Sequence, residues 1–398
     1  MHRLLQSPSR LFLVGTVFVV HLGWYALLPF FALLLGTREG LSPGAIGLIL
    51  SSQSFLSVAG SAVGGPIADR MGRRLTMLTG LVLRGLGIAG LGLSGALPVL
   101  ILAAGVAGFG NGLLSPVVKA ALASTAEPGE AEVLFSWRGM AASLGVSLGP
   151  VLGALLARGP IIVLFGAAGA LHLVTALWGR FAFAESPGAP AAVRPQLGAL
   201  LHDRRFLDFT ALLVLLWALY AQLSLGIPLW AERVLHLGRG IGLIWTVAAL
   251  FVVLCQSLVT RQVIHERGPA RSLALGALCL GVGLGAVGLT RGAPSLLLAV
   301  LVVKLGEMLV MPTVDTITAS LAPPGQLGSY YSGTSLAWGL GEGLGSLAGG
   351  QIFALGLAQG RPALLWWIAL STGALLALLF RGTYPTWLES VKRAKERL

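Results

Sequence analysis

The sequence predicts an all-α membrane protein with 12 transmembrane helices in two pseudo-symmetric six-helix bundles. Three observations predict it. The chain is 56% hydrophobic and 11% charged, whereas soluble domains carry about 25% charged residues. It resolves into twelve apolar runs, each near the ~20 residues that a span requires. It also matches itself when shifted by 196 residues. A chain this apolar cannot cover a water-facing surface, so lipid is its solvent.

The runs lie near 11–34, 45–65, 75–94, 98–121, 135–157, 160–183, 206–230, 241–260, 273–290, 294–318, 330–355 and 363–380. The first is too long for a signal-peptide core and has no cleavage site, so it is read as a retained helix. The longest polar stretch, with three prolines, follows the sixth run. The expected organisation is therefore an N-terminal bundle over 1–183, a linker over 184–205 and a C-terminal bundle over 206–380. The tail, 381–398, carries Lys392, Arg393, Lys395 and Arg397. A short amphipathic helix on an anionic membrane surface is the expectation there, with lipids as its partner.

Net charge is +12. Most of it sits in short connections, as topology determinants do, and nucleic-acid binding is excluded on that ground. With twelve spans both termini share a side. That side holds 17 cations, the other six, and four fall within spans. Both termini are thus expected in the cytoplasm, with the chain multi-pass in the cell (inner) membrane. Cys255 and Cys279 lie in apolar runs without metal-ligand spacing. No metal or cofactor is expected. There is no G-x-x-x-x-G-K-[ST] loop, so ATP is not the energy source. No Ser, His and carboxylate set suggests hydrolysis, so no enzyme is read here.

The 196-residue shift runs without gaps from the third run to the eleventh. It sets Gly72 on Gly268, Gly110 on Gly306, Pro116 on Pro312, and Gly145, Gly149 and Gly153 on Gly341, Gly345 and Gly349. A six-span repeat preserves orientation, so its axis lies along the membrane normal, with a cavity between the bundles.

Between the second and third runs stands Gly65-Pro66-Ile67-Ala68-Asp69-Arg70-Met71-Gly72-Arg73-Arg74. Its Gly65, Asp69, Arg70, Gly72, Arg73 and Arg74 resemble the G-x-x-x-D-R-x-G-R-R signature loop of the major facilitator superfamily. In the fifth run Gly145, Gly149, Pro150 and Gly153 are similar to that superfamily's antiporter motif, with Ala154 replacing the last glycine. The stretches Gly80–Arg84, His202–Phe206 and Gly328–Tyr330 resemble its twelve-span multidrug-resistance exporters. Two features depart: Leu102–Gly112 holds no arginine, and the second signature loop, Arg261–Arg271, has His265 in the place of Asp69.

The resemblance implies proton-coupled efflux of small amphipathic compounds by alternating access, in a monomer whose first, fourth, seventh and tenth helices line a substrate cavity. On those helices the candidates are Trp24, Tyr25, Asn111, Ser115, Trp217, Tyr220, Lys304, Met308 and Met311. Lys304, Glu307, Met308, Met311 and Asp315 share one helical stripe. That stripe is either an inert ion pair or a wall with a titratable acid. Candidate proton carriers are Glu307, Asp315, Glu342 and His21. The signature loop is either a topology signal or a conformational latch. As a latch, Asp69 would accept from a helix N-terminus near Tyr330, and Arg70, Arg73 and Arg74 would pair with Glu127, Glu130 or Glu132. Arg138 would support it, and Lys119 would pair with Asp315 across the halves. Two other readings stay open: the same fold carrying a lipid, sugar or anionic metabolite, and a non-transporting scaffold or sensor.

Overall fold

The computed structural model describes residues 7–38, 40–125, 131–157, 159–183, 202–323 and 326–395, all helical or connecting, with no strand among them. The chain forms two compact units, Met1–Ala192 and Val193–Leu398. Unit 1 contains α1 (Pro8–Arg38), α2 (Pro43–Met71), α3 (Arg73–Gly90), α4 (Leu97–Ser124), α5 (Ala131–Leu156) and α6 (Ile161–Ala182). Unit 2 contains α7a (Arg204–Tyr220), α7b (Gly226–Arg233), α8 (Ile241–Val259), α9 (His265–Val287), α10 (Ala293–Leu321), α11 (Leu327–Ala358) and α12 (Leu364–Lys395). These fall on the twelve expected runs. Ten of the segments, counting α7a and α7b as one, are long and apolar enough to cross a membrane. The other two, α3 and α11, carry three arginines and a glycine- and serine-rich sequence respectively. Both pack against other helices of their own unit.

The element boundaries correct the sequence reading in four places. The signature stretch is not a loop: α2 continues through Asp69 and Arg70 to Met71, and the turn is Gly72 alone, at φ 87° and ψ 148°. The degenerate counterpart keeps that turn, since Gly268 sits at φ 74° and ψ 165° within α9. Side chains differ between the two loops, whereas the left-handed glycine persists because a Cβ is strained there. The seventh span is broken by a 3₁₀ turn at Ala221–Leu223; Pro228, lacking an N–H, suits the first turn of α7b. Finally, the expected separate tail helix is a continuation of α12 to Lys395. Of the expected linker, residues 184–201 lie outside the described residues, and Arg204 and Arg205 already belong to α7a, capped by Asp203.

Within each unit the helices pack in the same pattern. In unit 1, α1 lies against α5, α2 against α4, and α3 against α4 and α6. In unit 2, α7a lies against α11, α8 against α10, and α9 against α10 and α12. Glycine makes these approaches possible by removing the side chain at the crossing. A Cβ on Gly145 would stand 2.8 Å from His21 Cβ, and one on Gly149 would stand 2.7 Å from Tyr25 Cβ. A Cβ on Gly341 would stand 2.6 Å from Trp217 Cβ. His21 and Trp217 are themselves 196 apart, so the repeat extends to the first helix of each unit, where the sequences no longer match. Likewise Gly110 meets Gly80 O, and Gly306 meets Gly276 O.

Two glycine substitutions separate conformational strain from crowding. Gly268→Ala meets nothing within 4 Å, so only its positive φ opposes it, at about 1–2 kcal/mol. Gly149→Val drives branches into the α1 backbone and is expected to exceed that, at roughly 3 kcal/mol or more. Denaturant unfolding in detergent micelles checks the order; equal losses would contradict it.

Candidate functional site

In unit 2 an aromatic and charged cluster gathers from four elements. Lys304 and Glu307 are one helical turn apart on α10, so both reach the same side. Lys304 Nζ donates to Glu307 Oε2 at 2.6 Å. The Tyr220 hydroxyl, from α7a, donates to Glu307 Oε1 at 3.1 Å. Both carboxylate oxygens are therefore held. The Lys304 ammonium also lies 5.1 Å from the ring centroid of Trp245 on α8, within cation–π reach. The pair's side chains are only 7% and 12% exposed, so water does little of the solvation and each charge depends on these partners.

Next to Glu307 stands an aromatic wall. Trp217 stacks on Trp338 of α11, with centroids 4.1 Å apart and planes at 26°. Tyr220 meets both edge-on, at 5.7 Å each. Trp338 Nε1 donates to Glu342 Oε2 at 3.2 Å. The wall thus runs from one carboxylate to another. The buried indole N–H groups of Trp217 and Trp245 have no hydrogen-bond partner among the described residues. Chemically, the cluster combines buried aromatic rings and the half-buried Trp338 with two carboxylates and one resident ammonium, a composition that suits a flat or cationic group.

Unit 1 is different. Its six acids, Glu39, Asp69, Glu127, Glu130, Glu132 and Glu185, all fall outside the twelve apolar runs. Its interior carries cations instead. Arg84 of α3 is buried; its Nε donates to His172 Nε2 of α6 at 3.2 Å. His172 Nδ1 donates to Ala168 O at 2.7 Å, which leaves Nε2 free to accept. Gly23 of α1 makes room for that imidazole. His21 Nδ1 donates to Val17 O at 2.7 Å, and Arg138, Arg84 and Lys119 lie within electrostatic reach of it.

The structure gathers Trp217, Tyr220, Lys304 and Glu307, adds Glu342 through Trp338, and places the other predicted residues elsewhere. Met308 is buried in a cluster with Val259 and Leu309 rather than in the aromatic wall. Met311 is half-buried and Asp315 exposed, the latter accepting from the Tyr331 hydroxyl at its backbone oxygen. Asn111 is tied to α2, where its Nδ2 donates to Ser57 Oγ at 3.1 Å. Ser115 is exposed. His21 and Tyr25 face the glycines of α5, while Trp24 packs near Phe31. Pro150 lies within α5.

Around the signature stretch, the Arg74 guanidinium donates to the backbone oxygen of Arg180 near the end of α6. Arg10 does the same for Thr125 after α4. These cations satisfy helix C-termini, where free carbonyls concentrate negative charge. Arg70 is exposed and Arg73 half-buried. The Asp69 and Glu132 side chains, and Glu127 and Glu130 altogether, lie outside the described residues. Tyr330 is engaged within its own unit: its hydroxyl donates to Asp203 Oδ2 at 2.6 Å, and its ring packs on Phe206 at 4.4 Å. The two short stretches His202–Phe206 and Gly328–Tyr330 thus form one contact. Sequence reasoning missed Trp245, Trp338 and His172. Trp338 stands one helical turn before Glu342, a spacing that could have found it.

The sequence profile of the Major Facilitator Superfamily matches residues 13–346. Multidrug resistance protein MdtH of Aeromonas hydrophila is 27% identical over 376 residues, covering 93% of this chain and 94% of that one. Multidrug resistance protein MdtH of Escherichia coli is 25% identical over 403 residues, with 99% and 97% covered. Among solved structures, nucleoside transporter NupG superposes with a TM-score of 0.79 at 12% identity, covering 94% of this chain and 98% of that one. Peptide transporter POT in complex with sulfate gives 0.78 at 16% identity, covering 95% and 94%.

The Arg84–His172 contact makes a stability prediction. His172→Leu leaves a buried guanidinium without its acceptor, at about 1–3 kcal/mol. Adding Arg84→Leu removes the orphaned charge and restores most of that loss. Unfolding of the single and double variants in detergent checks it; additive losses would contradict a direct pair.

Proposed function

The chain belongs to the Major Facilitator Superfamily and is a multi-pass membrane transporter, and from that premise we propose that it exports small amphipathic, cationic compounds in exchange for protons by alternating access. The observation that carries this reading is Glu307. It is a carboxylate in a membrane-spanning helix, held by Lys304 and Tyr220 beside the Trp217–Trp338 stack. A carboxylate at such depth is costly, about 2.5–3.5 kcal/mol at a helix centre, and marks a substrate or proton path. Proton and substrate compete for it: protonation removes the charge that attracts a cation, and cation binding favours the ionised form. Glu342 supplies a second acid at the other end of the wall. The names of the MdtH relatives support a drug-like substrate.

In this reading the protein works as a monomer in the inner membrane, with both termini cytoplasmic and the Gly65–Arg74 stretch acting in the conformational cycle. A second reading has one specific observation behind it. The spans of unit 1 carry cations and no acid, which would suit a carrier of an anionic metabolite or lipid headgroup.

Transport into liposomes separates the two. With an imposed pH gradient, tetraphenylphosphonium moves against the proton flux in the wild type, and Glu307→Gln lowers that gradient-driven flux to background. Flux that survives Glu307→Gln contradicts Glu307 as the carrier. Movement of an anionic lysolipid, but no cation, favours the second reading.

A further inference from the structure

The Lys304 ammonium occupies the same carboxylate that a cationic substrate must reach. Resting on the cationic-substrate reading above, we propose that Lys304 is a tethered competitor, which an arriving cation displaces from Glu307 onto the face of Trp245. Three observations carry this. The lysine holds Glu307 Oε2 at 2.6 Å, the oxygen opposite the one that Tyr220 fixes at 3.1 Å. The aromatic wall for a cation's apolar body lies beside that same carboxylate, through Tyr220. And the ammonium already stands 5.1 Å from the Trp245 ring, so its second resting place needs no movement of α8 or α10.

An inert ion pair would need none of this arrangement. Its ammonium would be served by carboxylate alone, and an indole face adds little to a charge already paired. The indole matters when the carboxylate is taken away. A lysine left buried with no partner is strongly unfavourable; one left over a desolvated tryptophan keeps a substantial part of its stabilisation. Trp245 therefore lowers the energy of the displaced state more than that of the paired state. Lys304 in turn sets affinity: a weak cation fails to displace it, and a strongly adsorbed one succeeds. This makes the pair a specificity determinant that selects for cations with a large flat apolar body, because only these gain enough from Trp217 and Trp338 to offset the lysine.

The test is equilibrium binding of radiolabelled tetraphenylphosphonium to the purified full chain in detergent. The measurement is made at alkaline pH, where protons compete least with the cation. Lys304→Met removes the competitor and binds at least about tenfold tighter, the value of a charge-assisted hydrogen bond. Lys304→Arg keeps the competing charge and binds within about threefold of wild type by the same reasoning. Trp245→Leu removes the resting place and binds several-fold more weakly. In the Lys304→Met background, Trp245→Leu has no further effect, because the residue it served is gone. Unchanged or weaker binding by Lys304→Met overturns the proposal. So does a Trp245→Leu effect that persists without Lys304, since that would make the indole a direct substrate contact or a structural support. If Lys304→Met fails to fold, the Trp245→Leu result decides: unchanged or tighter binding overturns the proposal. A wild type that binds no lipophilic cation overturns the function itself, whereas wild-type binding with no gain in Lys304→Met overturns this inference alone.

Discussion

A charge inside the hydrocarbon has to be satisfied by protein, because lipid offers it nothing. Each unit meets that constraint with its own residues. In unit 2, Glu307 has both oxygens occupied, by Lys304 and Tyr220, and Lys304 has an indole as a second neighbour. In unit 1, Arg84 reaches a histidine whose other nitrogen is fixed by a backbone carbonyl. At the helix ends, Arg10 and Arg74 turn to backbone carbonyls. Where charges sit, and what they touch, accounts for most of the polar architecture.

The scaffold that holds these groups is repeated, and the chemistry is not. Trp217 and Tyr220 occupy the positions of His21 and Trp24, and Glu307 occupies that of Asn111, by the 196-residue shift. Asn111 spends its amide on Ser57 and serves packing. Its equivalent, one carbon longer and acidic, meets a lysine and a tyrosine instead. Conversely, Arg84 corresponds to Leu280, so the buried guanidinium has no counterpart in unit 2. Glycines at matched crossings keep the helix pairs alike, which leaves the remaining side chains free to diverge. Unit 2 thereby holds acids within its spans together with Lys304, and the spans of unit 1 hold cations without acids.

Much of the fold was legible because lipid imposes a simple pattern. Apolar runs located the helical segments, ten of which are long and apolar enough to cross a membrane, and matched glycines located the repeat. Other features were not legible, for physical reasons. Apolarity does not distinguish a charged turn from the end of a helix, so the signature stretch read as a loop although α2 runs to Met71. The break at Ala221–Leu223 changes the backbone and leaves the apolar run uninterrupted, so hydropathy does not show it. Of the site, the α10 stripe identified Lys304 and Glu307, because spacing fixes a helical face. It also included Met308, which the same spacing allows but which packs with Val259. Trp245, Trp338 and His172 come from other helices, and a single helix's periodicity carries no information about its neighbours.

The central claim is that Glu307 is one site shared by proton and substrate. It is tested most directly by the pH dependence of tetraphenylphosphonium binding to the purified protein in detergent. Affinity should fall as the pH is lowered, because a protonated Glu307 offers no charge to the cation, and Glu307→Gln should bind weakly with an affinity that no longer changes with pH. A wild-type affinity independent of pH, or an unchanged pH dependence in Glu307→Gln, would contradict the account.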